Sequence, residues 1–190
     1  MRMKRFVVAW CVVVAMTLTT SVLATVTIPT DLSDVVALAT LIVRGRVVDT
    51  RAFTDESNGP VTTAVTVAVS EVLKGRADRV VTFRAHGGDL GRYRQVIVGA
   101  PTFSVGDDAY LFLRRAPDGA LWTVGMGAGV YKVAMASGTP VVNPPVVAGI
   151  TATVGAPVTR GDVRRKPMGV GDFSGIVRLL LAVNAEDIRK

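Results

Sequence analysis

The tripeptide Arg92-Tyr93-Arg94 is the part of the sequence whose residue types are best suited to gripping a ligand. Two guanidinium groups around an aromatic ring can pair with the anionic groups of an acidic polymer or stack on another ring. A short charged loop of this kind is also common as plain solvated surface. The sequence favours that plainer interpretation, and the three residues stay a candidate binding surface with no catalytic role expected.

Catalytic and metal-binding groups are scarce. His86 is the only histidine and Cys11 the only cysteine, so the sequence disfavours closed zinc sites, which need several such ligands. His86 could pair with Asp89 as a base, but its place at a strand end before Gly87 and Gly88 favours a residue at the rim of the fold. We therefore expect a non-enzymatic protein without cofactor or metal, although chemistry based on carboxylates alone stays open.

Two further motifs resemble ligand sites only superficially. Gly125-x-Gly127-x-Gly129 has the look of a phosphate-binding turn, but a predicted strand follows it where a helix N-terminus would be needed. Asp107-Asp108 could contribute to a calcium site, yet the neighbouring residues lack the series of oxygen ligands that calcium requires. We expect a glycine bend at the first motif and a solvated turn at the second.

The first 24 residues have the pattern of a cleavable signal peptide. A basic start, an apolar run and small residues at a cleavage position follow one another: Arg2, Lys4 and Arg5, residues 6–18, and Val22-Leu23-Ala24. The run is shorter than the roughly 20 residues of a spanning helix, which disfavours a retained anchor. Cleavage after Ala24 would remove three of the 22 basic residues and none of the 15 acidic ones, lowering the net charge from +7 to +4. We expect a secreted, periplasmic or cell-envelope protein that starts at Thr25 and has no nucleic-acid partner and no stable membrane span.

Short valine-rich strands dominate the middle of the chain. The clearest is predicted over Val61–Leu73, where valines at alternate positions share one face, and Glu71 interrupts that row as a bulge or barrel rim would. Other strands are predicted over 41–50 with a bend at Gly45, and over 79–86, 108–114, 121–124 and 129–134, the last being the final strand. Pro117-Asp118-Gly119 predicts a hairpin turn.

Two helices and one long irregular segment complete the prediction. Thr30 or Asp31 can cap a short helix through Ala39, and Asp172 can cap a final helix to about Val183. That final helix has an apolar stripe of Phe173, Ile176, Val177, Leu180 and Leu181. Residues 137–171 contain many prolines and a basic cluster (Arg160, Arg164, Arg165 and Lys166), which favours a long surface excursion.

The predicted organisation is a signal peptide (1–24), a β-barrel domain (25–136), the Pro- and Gly-containing excursion (137–171) and a C-terminal helix and tail (172–190). The fold class is mainly β: a small, five- to six-stranded OB-like barrel with a short N-terminal helix and a C-terminal helix. A two-sheet sandwich is the competing arrangement, and periodicity does not separate the two.

Three stretches together resemble the netrin-like module of the tissue inhibitors of metalloproteinases, an OB-type barrel. They are residues 41–48 (LIVRGRVV), residues 65–75 ending in Val72-Leu73-Lys74-Gly75, and residues 105–113 (VGDDAYLFL). The resemblance covers about residues 41–133 and implies a barrel that can act as a protease inhibitor. In those inhibitors an N-terminal cysteine, held by disulfides, presents its amine and carbonyl to the protease zinc. This chain would present Thr25 instead and lacks the disulfides, and a shared fold does not carry function with it.

The sequence thus predicts an exported, non-enzymatic domain that binds another exported protein, as a protease companion or inhibitor. The binding residues would be those of its loops or of the segment at Thr25. The alternative is a binder of acidic glycans or cell-envelope polymers that uses Arg92, Tyr93 and Arg94.

Overall fold

The computed structural model describes residues 31–54, 59–145 and 167–187. In chain order the elements are α1 (Leu32–Leu38), β1 (Leu41–Phe53), β2 (Thr62–Lys74), β3 (Val80–His86), β4 (Gly88–Asp89), β5 (Arg94–Gln95), β6 (Asp108–Arg115), β7 (Leu121–Thr123), a 3-10 helix (Met126–Gly129), β8 (Val130–Ala136), β9 (Thr139–Asn143), β10 (Met168–Gly169) and α2 (Val170–Asp187). This confirms the prediction of a mainly β fold with one helix near each end.

Five of the strands close into a barrel, in the order β1-β2-β3-β7-β6 and back to β1. All neighbours are antiparallel except β3 and β7, which run parallel beside Arg84 and Trp122. Strand order and direction are compatible with an OB-like barrel. Closure through the β1–β6 pair rules out the open two-sheet sandwich for these residues, because it joins the first strand of the sheet to the fifth.

Strand β2 supplies part of the wall and part of the core. Val65 and Val67 are completely buried on the inner face, as their alternation predicts. The register between β1 and β2 shifts where Arg44 faces Glu71 and Gly45 faces Val69, so Ser70 is the extra residue of a bulge. The irregularity predicted at Glu71 is confirmed, and it lies beside the predicted bend at Gly45.

Strand β6 is buried on both faces and separates two cores. Leu111 and Leu113 point into the barrel, while Tyr110 and Phe112 point outward into a second cluster beneath the two helices. All four side chains have no solvent exposure. The sequence predicts the two alternating faces, and the structure shows that neither face meets solvent between Ala109 and Leu113.

Helix α2 covers the outward face of β6. Phe173 and Val177 are buried, and Ile176, Leu180 and Leu181 pack against the same cluster, which confirms the predicted stripe. The predicted N-cap at Asp172 is wrong. The helix begins at Val170 because β10 leads directly into it, and Asp172 lies in its first turn.

The segment after β8 departs from the prediction in one respect: β8 is not the last strand. Ser137 and Gly138 both have positive φ values (50° and 82°), the geometry of a tight hairpin turn, and β9 returns antiparallel to β8. Strand β10 then pairs with β9 through Met168 and Val142. The basic cluster at 160–166 lies outside the described residues. Among the described residues, no helix is both long and apolar enough to cross a membrane.

Candidate functional site

Arg92, Tyr93 and Arg94 lie at the tip of a small hairpin formed by β4 and β5. The backbone N–H of Leu90 donates to the carbonyl of Tyr93 at 2.8 Å, and that of Gly91 donates to the Asp89 carboxylate at 2.7 Å. These bonds close the turn. All three predicted site residues are exposed, with Tyr93 56% exposed, and none has a side-chain hydrogen bond or ion pair with another described residue.

The base of this hairpin is fixed to the end of the barrel. The Val61 N–H donates to Gln95 Oε1 at 2.5 Å, and Thr63 Oγ1 donates to the Gly87 carbonyl at 2.6 Å. Gly88 has a φ of 155°, and a Cβ there would lie 2.5 Å from Thr63 Oγ1, so only glycine fits beneath the hairpin. A fixed base with a free tip is well suited to presenting side chains to a partner.

Apolar side chains are also exposed in the hairpin and in the chain that follows it. They belong to Leu90, Tyr93, Val96, Val98 and Val105, and Val96 and Val98 are 75% and 80% exposed. The arginines and these apolar groups therefore share one segment, residues 90–105. The residue types of the arginines and the tyrosine indicate a candidate site, but the valines were not predicted to belong to it. The usable indication was that several valines occur in a segment without a clear strand pattern.

His86 is an exposed residue at the end of β3, as predicted, and it does not form the acid–base pair with Asp89. Its ring stacks on Trp122, with centroids 4.5 Å apart and planes 30° from parallel. The Asp89 carboxylate instead accepts the Gly91 N–H. The described residues thus give His86 an aromatic neighbour and no carboxylate that would orient it as a base.

Asp107 and Asp108 each form an ion pair with a basic side chain of the protein. Asp108 accepts two hydrogen bonds from the Arg44 guanidinium, at 2.7 and 3.2 Å, and these raise the pKa of Arg44. Asp107 accepts from Lys132 Nζ at 2.8 Å and from the Ser104 N–H at 3.0 Å. Burial raises the pKa of Asp107, but these two bonds outweigh it and the pKa is lowered overall. Both carboxylates hold strands together at the edge of β6.

The glycine motif at 125–129 forms a tight turn where backbones pack closely. A Cβ at Gly127 would lie 2.8 Å from the Gly99 carbonyl oxygen, and one at Gly129 would lie 2.5 Å from the Val124 carbonyl oxygen. The Gly127 N–H already donates to Gly99. The turn leads into strand β8, so it has the packing role that the sequence favours.

A buried polar cluster links β2, β6 and α2, and the sequence gives no local signal for it. The Tyr110 hydroxyl lies 2.7 Å from Ser174 Oγ and 3.2 Å from the Val170 carbonyl oxygen, and its single proton can be donated to either acceptor. Ser174 donates to Glu71, which also accepts from Arg178 at 2.7 Å. Burial raises the pKa of Tyr110, which keeps its hydroxyl protonated as a donor. The cluster fastens the helix to both strands, and its Arg178–Glu71 end is exposed to solvent.

Trp122 belongs to a surface that the sequence analysis missed. Its ring contacts His86, and the Arg84 guanidinium lies 5.6 Å from the ring centre of Phe53 on the same outer wall. Alternation along β3 was a usable signal, since Arg84 and His86 are two residues apart and must share a face. Trp122 lies next to His86 because β3 pairs with β7, and no local sequence pattern predicts that pairing.

The remaining predicted binding residue, Thr25, lies outside the described residues. Within the described ranges, no group of three or more His, Cys, Asp or Glu side chains could hold a metal ion. No protein-family model matches the chain, and no curated protein matches it at a significant level. The likeness to netrin-like modules therefore depends on the strand pattern alone.

Proposed function

We propose that this chain is an exported, non-enzymatic binding domain that holds another exported protein through residues 90–105. The observation that carries the proposal is that Tyr93, Val96 and Val98 are exposed in the same segment as Arg92 and Arg94, a segment that begins at a hairpin with a fixed base. Tyrosine and arginine dominate the energetics of protein interfaces, and apolar groups around them exclude water. Lone exposed valines are ordinary, but several in one short segment favour an interface.

The netrin-like resemblance adds a class of partner to this proposal. An OB-compatible strand order supports a netrin-like identity, and proteases are the partners of the inhibitors in that family. The proposed role is thus that of a protease companion or inhibitor. Inhibition through the chain terminus would require the segment at Thr25 to lie beside the hairpin in the complex.

The test is capture of partners by the secreted form of the chain, starting at Thr25, from the proteins exported by its own source. A Val96→Ser/Val98→Ser variant is expected to lose a specific cross-linked species. The matched control is Val72→Ser/Val80→Ser, because those valines are also exposed but flank the 75–79 turn at the other end of the β2–β3 pair. Equal capture by all three proteins would contradict the proposed interface.

The second candidate function is binding of an acidic glycan or envelope polymer by Arg92, Tyr93 and Arg94. The exposure of both guanidinium groups, without ion pairs among the described residues, favours it. Such binding would weaken with salt and would fall when Arg92 and Arg94 are both changed to Ala, while Val96→Ser/Val98→Ser would leave it intact.

A further inference from the structure

The outer wall of the barrel is covered on one side and open on the other. Ile42, Tyr110 and Phe112 point outward beneath α1 and α2, where they are completely buried. The opposite side is formed by the end of β1, the first half of β2, β3 and β7. There the outward side chains of Arg51, Thr82 and His86 are exposed.

Arginines recur across this open side. Arg51 pairs with Ala64, Ala64 pairs with Arg84, and Arg84 neighbours Trp122, which pairs with Arg114. Directly paired residues share a face, so Arg51, Arg84 and Arg114 form an arginine row across five strands. Neighbouring strands are about 4.8 Å apart, so the backbones of successive arginines, two strands apart, are separated by about 10 Å. The small side chain of Ala64 leaves a shallow gap between the first two arginines.

Aromatic rings lie beside the arginine row. Phe53 pairs with Thr62, which pairs with His86, and the His86 ring stacks on Trp122. Phe53, His86 and Trp122, together called the ring cluster, thus share one face of β1, β3 and β7, and His86 and Trp122 are in ring contact. The Arg84 guanidinium, 5.6 Å from the centre of the Phe53 ring, connects the two sets.

Polar groups that can exchange hydrogen bonds with a ligand lie along the same wall. The hydroxyl groups of Thr66 and Thr82 are 3.1 Å apart, and the exposed Asp118 carboxylate lies 3.4 Å from Arg84. Asp49 pairs with Thr66 and therefore shares this face. The wall combines cations, ring faces, hydroxyls and two acceptor carboxylates.

We propose that this open wall binds an acidic oligosaccharide. Sugar rings pack against the ring cluster, their carboxylates pair with the arginine row, and their hydroxyls donate to Asp118 and Asp49. Charge complementarity selects an anionic chain, while the two carboxylates select one with neutral hydroxyls between its charges. A DNA backbone has no hydroxyl between its phosphates that could donate to Asp118 or Asp49, so these two carboxylates would repel it.

This site is distinct from the hairpin tip that the proposed function uses. It lies on the strands of the wall, and neither Arg92 nor Arg94 belongs to the arginine row. Failure of one proposal therefore leaves the other standing, and each has its own variants.

The test is titration calorimetry of the full-length chain at low ionic strength, with hexagalacturonate as the acidic probe. Maltohexaose is the neutral probe, and an oligothymidylate of the same length is the nucleic-acid probe. The variants are Arg51→Gln/Arg114→Gln and Trp122→Leu. The matched control is Arg76→Gln/Arg79→Gln, which removes equal charge from exposed residues in the turn between β2 and β3, at the other end of those strands.

Hexagalacturonate is expected to bind, and Arg51→Gln/Arg114→Gln is expected to weaken it about three- to thirtyfold, as two exposed ion pairs would. Trp122→Leu should weaken it similarly, while Arg76→Gln/Arg79→Gln should keep the affinity within about twofold. Maltohexaose should bind more weakly than hexagalacturonate.

Three results would overturn the proposal: no heat of binding with hexagalacturonate, an equal loss in the Arg76→Gln/Arg79→Gln control, or tighter binding of the oligothymidylate. Circular dichroism identifies any variant that fails to fold. If Trp122→Leu does not fold, the proposal is tested by the affinity of the Arg51→Gln/Arg114→Gln variant alone.

Discussion

The hydroxyl groups of Tyr110 and Ser174 lie 2.7 Å apart, joining the central strand of the domain to its C-terminal helix across 64 residues of sequence. Both residues are buried, so neither hydroxyl can exchange this partner freely for water. Ser174 also donates to Glu71 of β2 at 3.2 Å, so one helix position contacts two strands. The helix is therefore held by polar groups as well as by its apolar stripe.

Removing the Tyr110 hydroxyl is expected to destabilise the protein. Tyr110→Phe deletes the hydroxyl that donates to Ser174 or to the Val170 carbonyl, at an expected cost of about 1–2 kcal/mol in the free energy of unfolding. Urea denaturation measures the change. Tyr93→Phe is the matched control, because Tyr93 is exposed, and its effect should stay within about 0.5 kcal/mol.

A double-mutant cycle tests whether the bond itself is responsible. Tyr110→Phe and Ser174→Ala should destabilise by less together than the sum of their separate effects, because each removes the same interaction. Strictly additive effects would contradict the coupling of these two residues.

Gly45 is expected to be the least replaceable residue of β1. A Cβ at this position would lie 2.7 Å from the Ala68 carbonyl oxygen, which belongs to the backbone and cannot rotate away. Gly45→Ala should therefore lower stability by about 1–3 kcal/mol, as overpacking does. A thermal unfolding midpoint equal to that of the unchanged protein would show that the barrel can relax there.

Gly175 provides the opposite case on the same chain. It lies in α2, and a Cβ there meets no atom within 4 Å. Gly175→Ala should raise stability by up to about 1 kcal/mol, since alanine loses less backbone freedom in a helix. The same thermal measurement compares the two substitutions, and a lower midpoint for Gly175→Ala would contradict the open surroundings.

Asp107 is expected to contribute to acid unfolding. Its pKa is lowered in the folded state below the ordinary 3.8, so its stabilising effect is present above that pH and is lost as the pH falls through the folded value. Between about pH 5 and pH 2, Asp107→Asn should lose less stability than the unchanged protein. Lys132→Met should also make the free energy of unfolding depend less on pH in this range, because Lys132 is the main bonding partner of Asp107. Parallel curves for all three proteins would contradict this account.

Lys74 closes the end of helix α1. Its ammonium donates to the carbonyl oxygens of Val36 and Ala37 at 2.9 and 3.3 Å, within the last turn of the helix. Lys74→Met keeps the aliphatic stem but removes these bonds, and should cost about 0.3–1 kcal/mol. Arg76→Met, in an exposed turn nearby, should leave the urea midpoint unchanged, and an equal loss in both variants would exclude a specific cap.

Local alternation predicted the strands well because each valine's position sets its face. Val65 and Val67 are inside, and Leu111 and Tyr110 point in opposite directions, as their spacing predicts. What alternation cannot say is whether the outer face meets solvent. The burial of the outer face depends on α2, which lies about 60 residues further along the chain and covers Tyr110.

The parts that the sequence analysis missed depend on contacts between distant residues or on a weak turn signal. Trp122 meets His86 only because β3 and β7 run side by side. Strand β9 was not predicted, because the prolines around it favour an irregular segment. The pair Ser137-Gly138 tolerates positive φ and could have indicated a hairpin. Pro140 is accommodated on β9 opposite Met135.

Strand β6 pairs with β1 along one edge and divides its other edge between β8 and β7. Opening the barrel at β1 breaks the bonds of one set of β6 amides, and detaching the β8–β9 extension breaks those of the alternate set, so displacing this one strand releases the amides of both. We expect those amides to be the slowest in the molecule to exchange with deuterated solvent, and the two halves to unfold in a single cooperative step. Because both halves of the domain depend on β6, neither half is expected to unfold at a lower denaturant concentration than the other.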